Sequence, residues 1–107
     1  MDLAKKSCKA CQGETKPLDG LRSSQLLKEL STGWNLNAAG HLIKEFRFKD
    51  FKTALGFVNQ IGALAEAEGH HPNMHFTWGY VKVELWTHKL KGLSESDFIM
   101  AAKIDRL

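Results

Sequence analysis

Residues 50–86 read DFKTALGFVNQIGALAEAEGHHPNMHFTWGYVKVELW, and within this stretch a helical pattern changes into a strand pattern. In the first half, Asp50 can accept hydrogen bonds from the free N–H groups of a first helical turn, and Gly69 can take the left-handed conformation that ends a helix. Apolar side chains recur between them at intervals of three and four residues, namely Phe51, Ala54, Leu55, Val58, Ile61 and Ala65. Phe57 and Leu64 widen this apolar stripe, so we expect the helix to cover a broad surface such as a sheet.

The second half of the stretch has a period of two, which is the repeat of a strand. On both sides of Gly79, every second residue is aromatic or apolar, namely Met74, Phe76, Trp78 and Tyr80. Beyond Gly79 the apolar residues Val81, Val83 and Leu85 alternate with Lys82, Glu84 and Trp86. We therefore expect two strands here, separated at the glycine.

The flanking segments predict two further helices and a hairpin. A first helix is indicated by Leu21, Leu26, Leu27 and Leu30, and two strands follow at residues 34–37 and 41–48. Ser94 and Asp97 have the spacing of a capping box, and a last helical stripe follows at Phe98, Ala101, Ala102 and Ile104. The predicted order α-β-β-α-β-β-α is that of an α+β domain, a four-stranded antiparallel sheet with helices packed on one face.

The length of 107 residues suits a single domain. We expect a flexible N-terminal arm over residues 1–17, which are mostly polar, and one folded domain over residues 18–107. A domain of this size can hide only a modest share of its surface, so self-association is physically attractive. Both cysteines, Cys8 and Cys11, lie in the arm, where a disulfide would close only a short loop.

Hydropathy and charge argue against two classes of partner. The sequence has no run of about 18 apolar residues, so we expect a soluble, cytoplasmic protein without a membrane partner. The formal net charge is +3, but lysine and glutamate are interleaved and no run of five basic residues occurs. Charge therefore does not favour a nucleic-acid partner.

Three of the five histidines form the strongest candidate for chemistry. His70 and His71 are adjacent, and Pro72 favours extended backbone before it, so their side chains should point to opposite sides. Glu66 lies four residues before His70, so its carboxylate can reach that imidazole and set its tautomer if the helix continues that far. His88 has the parity of the polar positions in the last strand, so it should face away from the helix-covered core.

A zinc site is the main alternative for these histidines, because imidazole is a good zinc ligand and the set His70, His71, His75 and His88 has four members. The side chains of adjacent histidines diverge, however, and nothing in the pattern returns His75 to the same point. Cys8 and Cys11 have the spacing of half a structural zinc site, with no second pair in the chain.

The aromatic residues of the two predicted strands offer a second alternative. A platform for stacking a flat heterocycle could be formed by Phe76, Trp78, Tyr80 and Trp86. Core packing is the more common role for aromatic residues in a strand, and the parity of these residues does not sort them.

The spacing of the polar residues is similar to a known signature. Glu66, His70-His71-Pro72, Trp78, His88 and Asp97 occur at intervals that resemble those of the pterin-4a-carbinolamine dehydratases. The resemblance includes Trp34, the segment 46–51 and the segment 87–97, and it covers about residues 18–105. The cysteine-containing arm and the segment 98–102 look most similar to bacterial members that accompany phenylalanine hydroxylase.

The resemblance implies a dehydration and a set of residues that perform it. The family converts 4a-hydroxytetrahydropterin into quinonoid dihydropterin for tetrahydropterin recycling, with no metal or redox cofactor. By resemblance, His70 and His88 are the general acid and the general base, and the two roles could be exchanged between them. His71 mainly binds the pterin. Supporting roles are implied for Glu66, Pro72, Trp78 and Asp97.

The resemblance also implies partners. Family members assemble into homodimers or homotetramers, and the bacterial members are linked to phenylalanine hydroxylase. An alternative role is that of a non-catalytic regulatory or dimerisation partner of a hydroxylase or a transcription factor.

Overall fold

Three helices and four strands make up the computed structural model, which describes residues 3–7 and 16–107. In chain order the elements are α1 Gly20–Glu29, β1 Asn35–Leu36, β2 Leu42–Arg47, α2 Phe51–Glu68, β3 Asn73–Thr77, β4 Tyr80–Leu85 and α3 Glu95–Ile104. Short 3-10 turns occur at Leu3–Lys5 and His88–Leu90. The predicted element order is confirmed.

The strands form one antiparallel sheet in the order β1-β2-β4-β3, which confirms the predicted α+β fold. The register places Phe46 of β2 and Phe76 of β3 on either side of Val81, so all three side chains share one face. The helices cover this apolar face, and α2 packs against β3 and β4. The opposite face carries polar side chains such as His75 and Lys82, which lie directly opposite each other.

Helix α2 has the boundaries that the sequence predicts. The Asp50 side chain accepts a hydrogen bond from the Thr53 N–H at 2.8 Å, and Gly69 ends the helix with φ of 67°. The residues of α2 that are buried are Ala54, Phe57, Ile61 and Ala65. Leu55 belongs to the predicted stripe but is exposed, because it is rotated by about 100° from Ala54, through which the contact line runs. Phe51, in the first turn of α2, is also partly exposed, although its ring packs against Phe76.

Helix α3 is more deeply buried than its predicted stripe. Phe98, Ala101 and Ile104 are buried as expected, and Ile99 and Met100 are buried as well. The reason is that α3 is in contact with α1, with α2 and with the turn formed by Leu3–Lys5.

Residues 3–7, which belong to the predicted arm, lie against α3. Leu3 is buried in the core, and the Lys103 ammonium donates a hydrogen bond to the Ala4 carbonyl at 2.9 Å. These residues are therefore packed rather than loose, because Leu3 supplies apolar surface to α3. The division of the chain at residue 17 stays a prediction, and Cys8 and Cys11 lie outside the described residues.

Asp105, just after α3, holds the sheet to the C-terminal segment. Its carboxylate accepts hydrogen bonds from the Ser31 hydroxyl at 2.6 Å, the Trp34 indole N–H at 2.8 Å and the Lys44 ammonium at 2.8 Å. Trp34 is buried, and the Lys44 ammonium lies 5.0 Å from the Phe46 ring centre. One carboxylate thus joins the end of α1, the first strand pair and the end of α3.

In residues 3–7 and 16–107 there is no helix with the length and hydropathy required to span a membrane.

We predict that Asp105→Ala lowers the free energy of unfolding by about 1–3 kcal/mol, because the buried indole N–H of Trp34 loses its acceptor. Urea denaturation measures this change. In a Trp34→Phe background the same substitution should cost at least about 0.5 kcal/mol less, since the donor is already gone. Equal costs in the two backgrounds would show that the indole bond does not contribute.

Candidate active site

The link between α2 and β3 holds the histidine pair. Gly69 turns the chain in the left-handed conformation, and the His70 N–H donates to the Ala65 carbonyl at 3.3 Å. Pro72 then leads directly into β3. The two imidazoles enter different environments, since the His70 side chain is 16% exposed and that of His71 is 60% exposed.

His70 is bonded to a fully buried carboxylate. Its Nε2 lies 2.6 Å from Oδ1 of Asp97, whose side chain has no exposed surface. A carboxylate only accepts hydrogen bonds, so this contact places the imidazole proton on Nε2. Nδ1 is then the ring nitrogen that can exchange a proton with a substrate.

The second oxygen of Asp97 is also fully engaged. Oδ2 accepts from the Ser94 N–H at 2.8 Å and from the Thr87 hydroxyl at 2.9 Å. The Thr87 and Ser94 hydroxyl oxygens are 2.8 Å apart, and the predicted capping box at the start of α3 is formed. Asp97 therefore caps a helix and anchors His70 with the same carboxylate.

Glu66 does not contact His70, so the prediction that it orients this imidazole is wrong. Its Oε2 lies in hydrogen-bond contact with Nε2 of His71 instead. The prediction required a helix that continues through His70, whereas α2 ends at Glu68 and the left-handed Gly69 turns His70 towards α3. Glu66 and His71 are both largely exposed, so their pairing contributes little to stability.

His88 begins the 3-10 turn that follows β4, immediately after Thr87. The Thr87 N–H donates to the Gly92 carbonyl at 2.8 Å, which closes this loop. His88 is exposed and stacks on Trp86, with ring centres 4.2 Å apart and planes inclined by 20°. Through Thr87, Asp97 thus connects the His88 loop to His70.

The three candidate histidines lie at one end of the β3–β4 hairpin. His70 and His71 come just before Asn73, which is paired with Glu84 near the end of β4, and His88 follows β4. The spacing and topology bring them to the same edge of the molecule. Thr87 belongs to the segment 87–97 that carries the resemblance, but no supporting role was predicted for it.

Trp78 and His75 lie elsewhere in the chain. Trp78 occupies the turn at the opposite end of the hairpin and is 65% exposed. Six residue steps of about 3.3 Å each separate Trp78 from Pro72 by roughly 20 Å, so the supporting role implied for Trp78 is not met beside the histidines of its own chain. His75 projects from the polar face of the sheet, and the described residues contain no group of three or more His, Cys, Asp or Glu side chains arranged to hold a metal.

The aromatic residues of the hairpin do not form a common platform. Phe76 packs against Phe51, and the Tyr80 hydroxyl donates to Glu45 at 2.6 Å, which raises the pKa of Tyr80. Trp86 has an imidazole stacked on each side. Phe76, Tyr80 and Trp86 therefore have separate partners, and Trp78 is exposed at the hairpin turn, so the stacking platform considered from the sequence is not assembled.

Known proteins resemble this chain over most of its length. A family profile described as pterin 4 alpha carbinolamine dehydratase matches residues 16–107. A protein of Rickettsia bellii, assigned by name as a pterin-4-alpha-carbinolamine dehydratase, is 50% identical over 105 residues, or 98% of this chain and 93% of the relative.

Two solved structures share the fold. A crystal structure described as a transcriptional coactivator/pterin dehydratase from Brucella melitensis has a TM-score of 0.79 and 34% identity, and the match covers 85% of this chain and 97% of that one. A pterin dehydratase-like protein, described as a RuBisCO assembly factor in the alpha-carboxysome, has a TM-score of 0.60 and 29% identity, with coverage of 69% and 87%.

We predict that Thr87→Val lowers the free energy of unfolding by about 1–2 kcal/mol, because the buried Asp97 carboxylate loses one donor while the side-chain volume stays nearly constant. Thermal or urea unfolding measures this loss. The matched control is Thr77→Val in β3, where the threonine is exposed and outside this network. An equal or smaller effect of Thr87→Val would contradict the role of the hydroxyl.

Proposed function

The chain belongs to the pterin 4 alpha carbinolamine dehydratase family, and we propose that it eliminates water from a 4a-hydroxytetrahydropterin to give the quinonoid dihydropterin. The observation that carries this proposal is the gathering of His70, His71 and His88 at one end of a hairpin, with Asp97 buried behind His70. The enzyme is then a hydro-lyase.

The reaction needs a proton donor and a proton acceptor at two neighbouring substrate atoms. The C4a–O bond breaks as the hydroxyl leaves with a proton from an acid, and the N5–H proton passes to a base as the C4a=N5 bond forms. Atoms and electrons balance without any oxidation or reduction. Imidazoles titrate near neutral pH and suit both transfers, each of which typically contributes ~10²–10⁴-fold.

The surroundings of the histidines support a division of labour. We assign the removal of the N5 proton to His70, because the Asp97 carboxylate stabilises the imidazolium that this step creates. His88 is exposed at the edge of the site and donates the proton to the departing hydroxyl. His71, paired with Glu66, contributes to binding, and Pro72 holds the pair in extended geometry.

Self-association belongs to the same proposal. We infer a homodimer or homotetramer from the small size of the chain and from its exposed large apolar side chains, which include Leu21, Leu36, Phe51, Leu55, Trp78 and Leu107. Since Trp78 is remote from the histidines of its own chain, it can support a pterin site only from a second copy.

The cellular setting follows from the resemblance to bacterial members. We propose a cytoplasmic enzyme that regenerates the pterin of phenylalanine hydroxylase. The link to this hydroxylase rests on the resemblance of the cysteine-containing arm and the segment 98–102 to those bacterial members. A non-catalytic role as a partner protein is the second candidate, because one similar structure is described as an assembly factor. An effect on a partner would then survive the loss of every site histidine.

We predict that His70→Ala and His88→Ala each lower kcat/KM by about 10²–10⁴-fold, because each removes a proton-transfer group. His71→Ala should mainly raise KM. The measurement is stopped-flow dehydration of the carbinolamine produced by a pterin-dependent hydroxylase, with chelator-treated protein. The matched control is His75→Ala, which removes an exposed imidazole from the polar face of the sheet and should leave the rate unchanged.

Wild-type rates in all three site variants would overturn the dehydratase proposal. A loss of rate in His75→Ala as large as in His70→Ala would overturn the assignment of the site to this end of the hairpin. Circular dichroism of each variant verifies that the fold is retained.

A further inference from the structure

Three aromatic rings are stacked at the end of β4, and only one of them belongs to the predicted site. The His41 and Trp86 ring centres are 4.1 Å apart with planes inclined by 2°, and those of Trp86 and His88 are 4.2 Å apart. The Trp86 indole therefore lies between two imidazoles. Because an imidazole is stacked on each of its faces, a pterin cannot stack fully on either one.

His41 is itself held by hydrogen bonds on the side away from His88. Its Nδ1 lies 2.7 Å from Oε2 of Glu84, and the same oxygen accepts from the Asn37 side-chain amide at 3.0 Å. The bond from His41, with a further one from Asn37, keeps the pKa of the Glu84 carboxyl below its ordinary value against the effect of burial. Glu84 is therefore ionised at neutral pH and remains an acceptor for His41.

The turn between β1 and β2 fixes the backbone of His41. The Asn37 side-chain carbonyl accepts from the N–H groups of Ala39 and His41 at 3.0 and 2.9 Å, and Gly40 supplies the left-handed residue of the turn with φ of 80°. The sheet register, which pairs Leu42 with Leu85, then brings His41 beside Trp86. His41 and Glu84 are largely shielded, with side-chain exposures of 19% and 26%.

His88 has little else to orient it. His88 is exposed, and among the described residues its ring stacks on that of Trp86 alone. Stacking restricts the tilt of an imidazole while leaving its ring nitrogens at the edge free for proton transfer. An exposed imidazole without such a contact would sample several rotamers, and productive alignment would be less frequent.

We propose that Trp86, supported on its other face by the His41–Glu84 pair, is a positioning residue that orients the His88 imidazole for proton transfer. This inference rests on the proposed function, because it assigns His88 a catalytic task. Because imidazoles are stacked on the indole, we expect its removal to affect the chemical step rather than substrate binding.

The first test separates the two kinetic constants. Trp86→Leu should lower kcat by about tenfold or more and change KM less than about twofold, since misalignment of a catalytic group slows chemistry. Trp86→Phe keeps a ring that can stack and should retain kcat within about threefold of wild type. The matched control is Tyr80→Leu, which removes a ring from the same face of β4 at its other end and should leave kcat unchanged.

The second test reports the stack without using activity. In the proton NMR spectrum, the ring current of Trp86 should shift the carbon-bound protons of the His88 imidazole, and Trp86→Leu should abolish this shift. The His75 resonances should stay in place. His41→Ala removes the supporting ring without changing Trp86 or His88, and it should reduce both the His88 shift and kcat.

The outcomes distinguish this inference from the proposed function. If His88→Ala slows the reaction while Trp86→Leu and His41→Ala keep the wild-type kcat, the positioning role is overturned and the dehydratase stands. A raised KM with unchanged kcat in Trp86→Leu would also overturn it, because the indole would then bind substrate. If His88→Ala keeps the wild-type rate, the catalytic task of His88 and the inference fall together.

Discussion

The buried carboxylate of Asp97 is the interaction on which the rest of the structure depends. A charge without exposed surface is costly unless hydrogen bonds replace its hydration. Here the Ser94 N–H, the Thr87 hydroxyl and the His70 imidazole supply those bonds, and the N-terminal end of α3 adds a favourable dipole. These donors lie 3, 10 and 27 residues before Asp97, in the cap of α3, in the segment after β4 and in the link between α2 and β3, so the carboxylate is satisfied only when these parts are assembled.

This arrangement makes one residue serve both the fold and the site. In many helices a capping carboxylate faces solvent and bonds only to the first turn. Asp97 caps α3 with one oxygen and binds an imidazole with the other, so the start of the last helix fixes the tautomer of His70. His88 is held differently, in an exposed position beside Trp86. The two imidazoles thus have unlike surroundings, which suits the two opposite proton transfers proposed for them.

The sequence was most informative where local chemistry decides the structure. The Asp50 cap, the left-handed Gly69 and the Ser94–Asp97 capping box were all predicted, because each depends on residues within one turn. The period-two pattern located β3 and β4 for the same reason. The residue pattern and the family resemblance both point to His70, His71 and His88 as candidates, but neither predicted that Asp97 binds His70 while Glu66 binds His71.

Contacts between distant segments were not predictable in this way. Glu66 is bonded to His71 and Asp97 to His70, and this pairing depends on how Gly69 turns the chain relative to α3. The ring stack at Trp86 depends on the register of β2 against β4, and register follows from the whole sheet rather than from one strand. Leu3 lies in a short segment with no apolar repeat, so no periodicity marked it as part of the core.

The most direct measurement of the central interaction is the nitrogen-15 NMR spectrum of histidine-labelled protein at a pH where His70 is neutral. If Asp97 holds this ring as described, the proton lies on Nε2, and Nδ1 has the chemical shift of an unprotonated nitrogen. A His70 ring with its proton on Nδ1 and a bare Nε2 would contradict the account, since Nε2 could not then donate to a carboxylate.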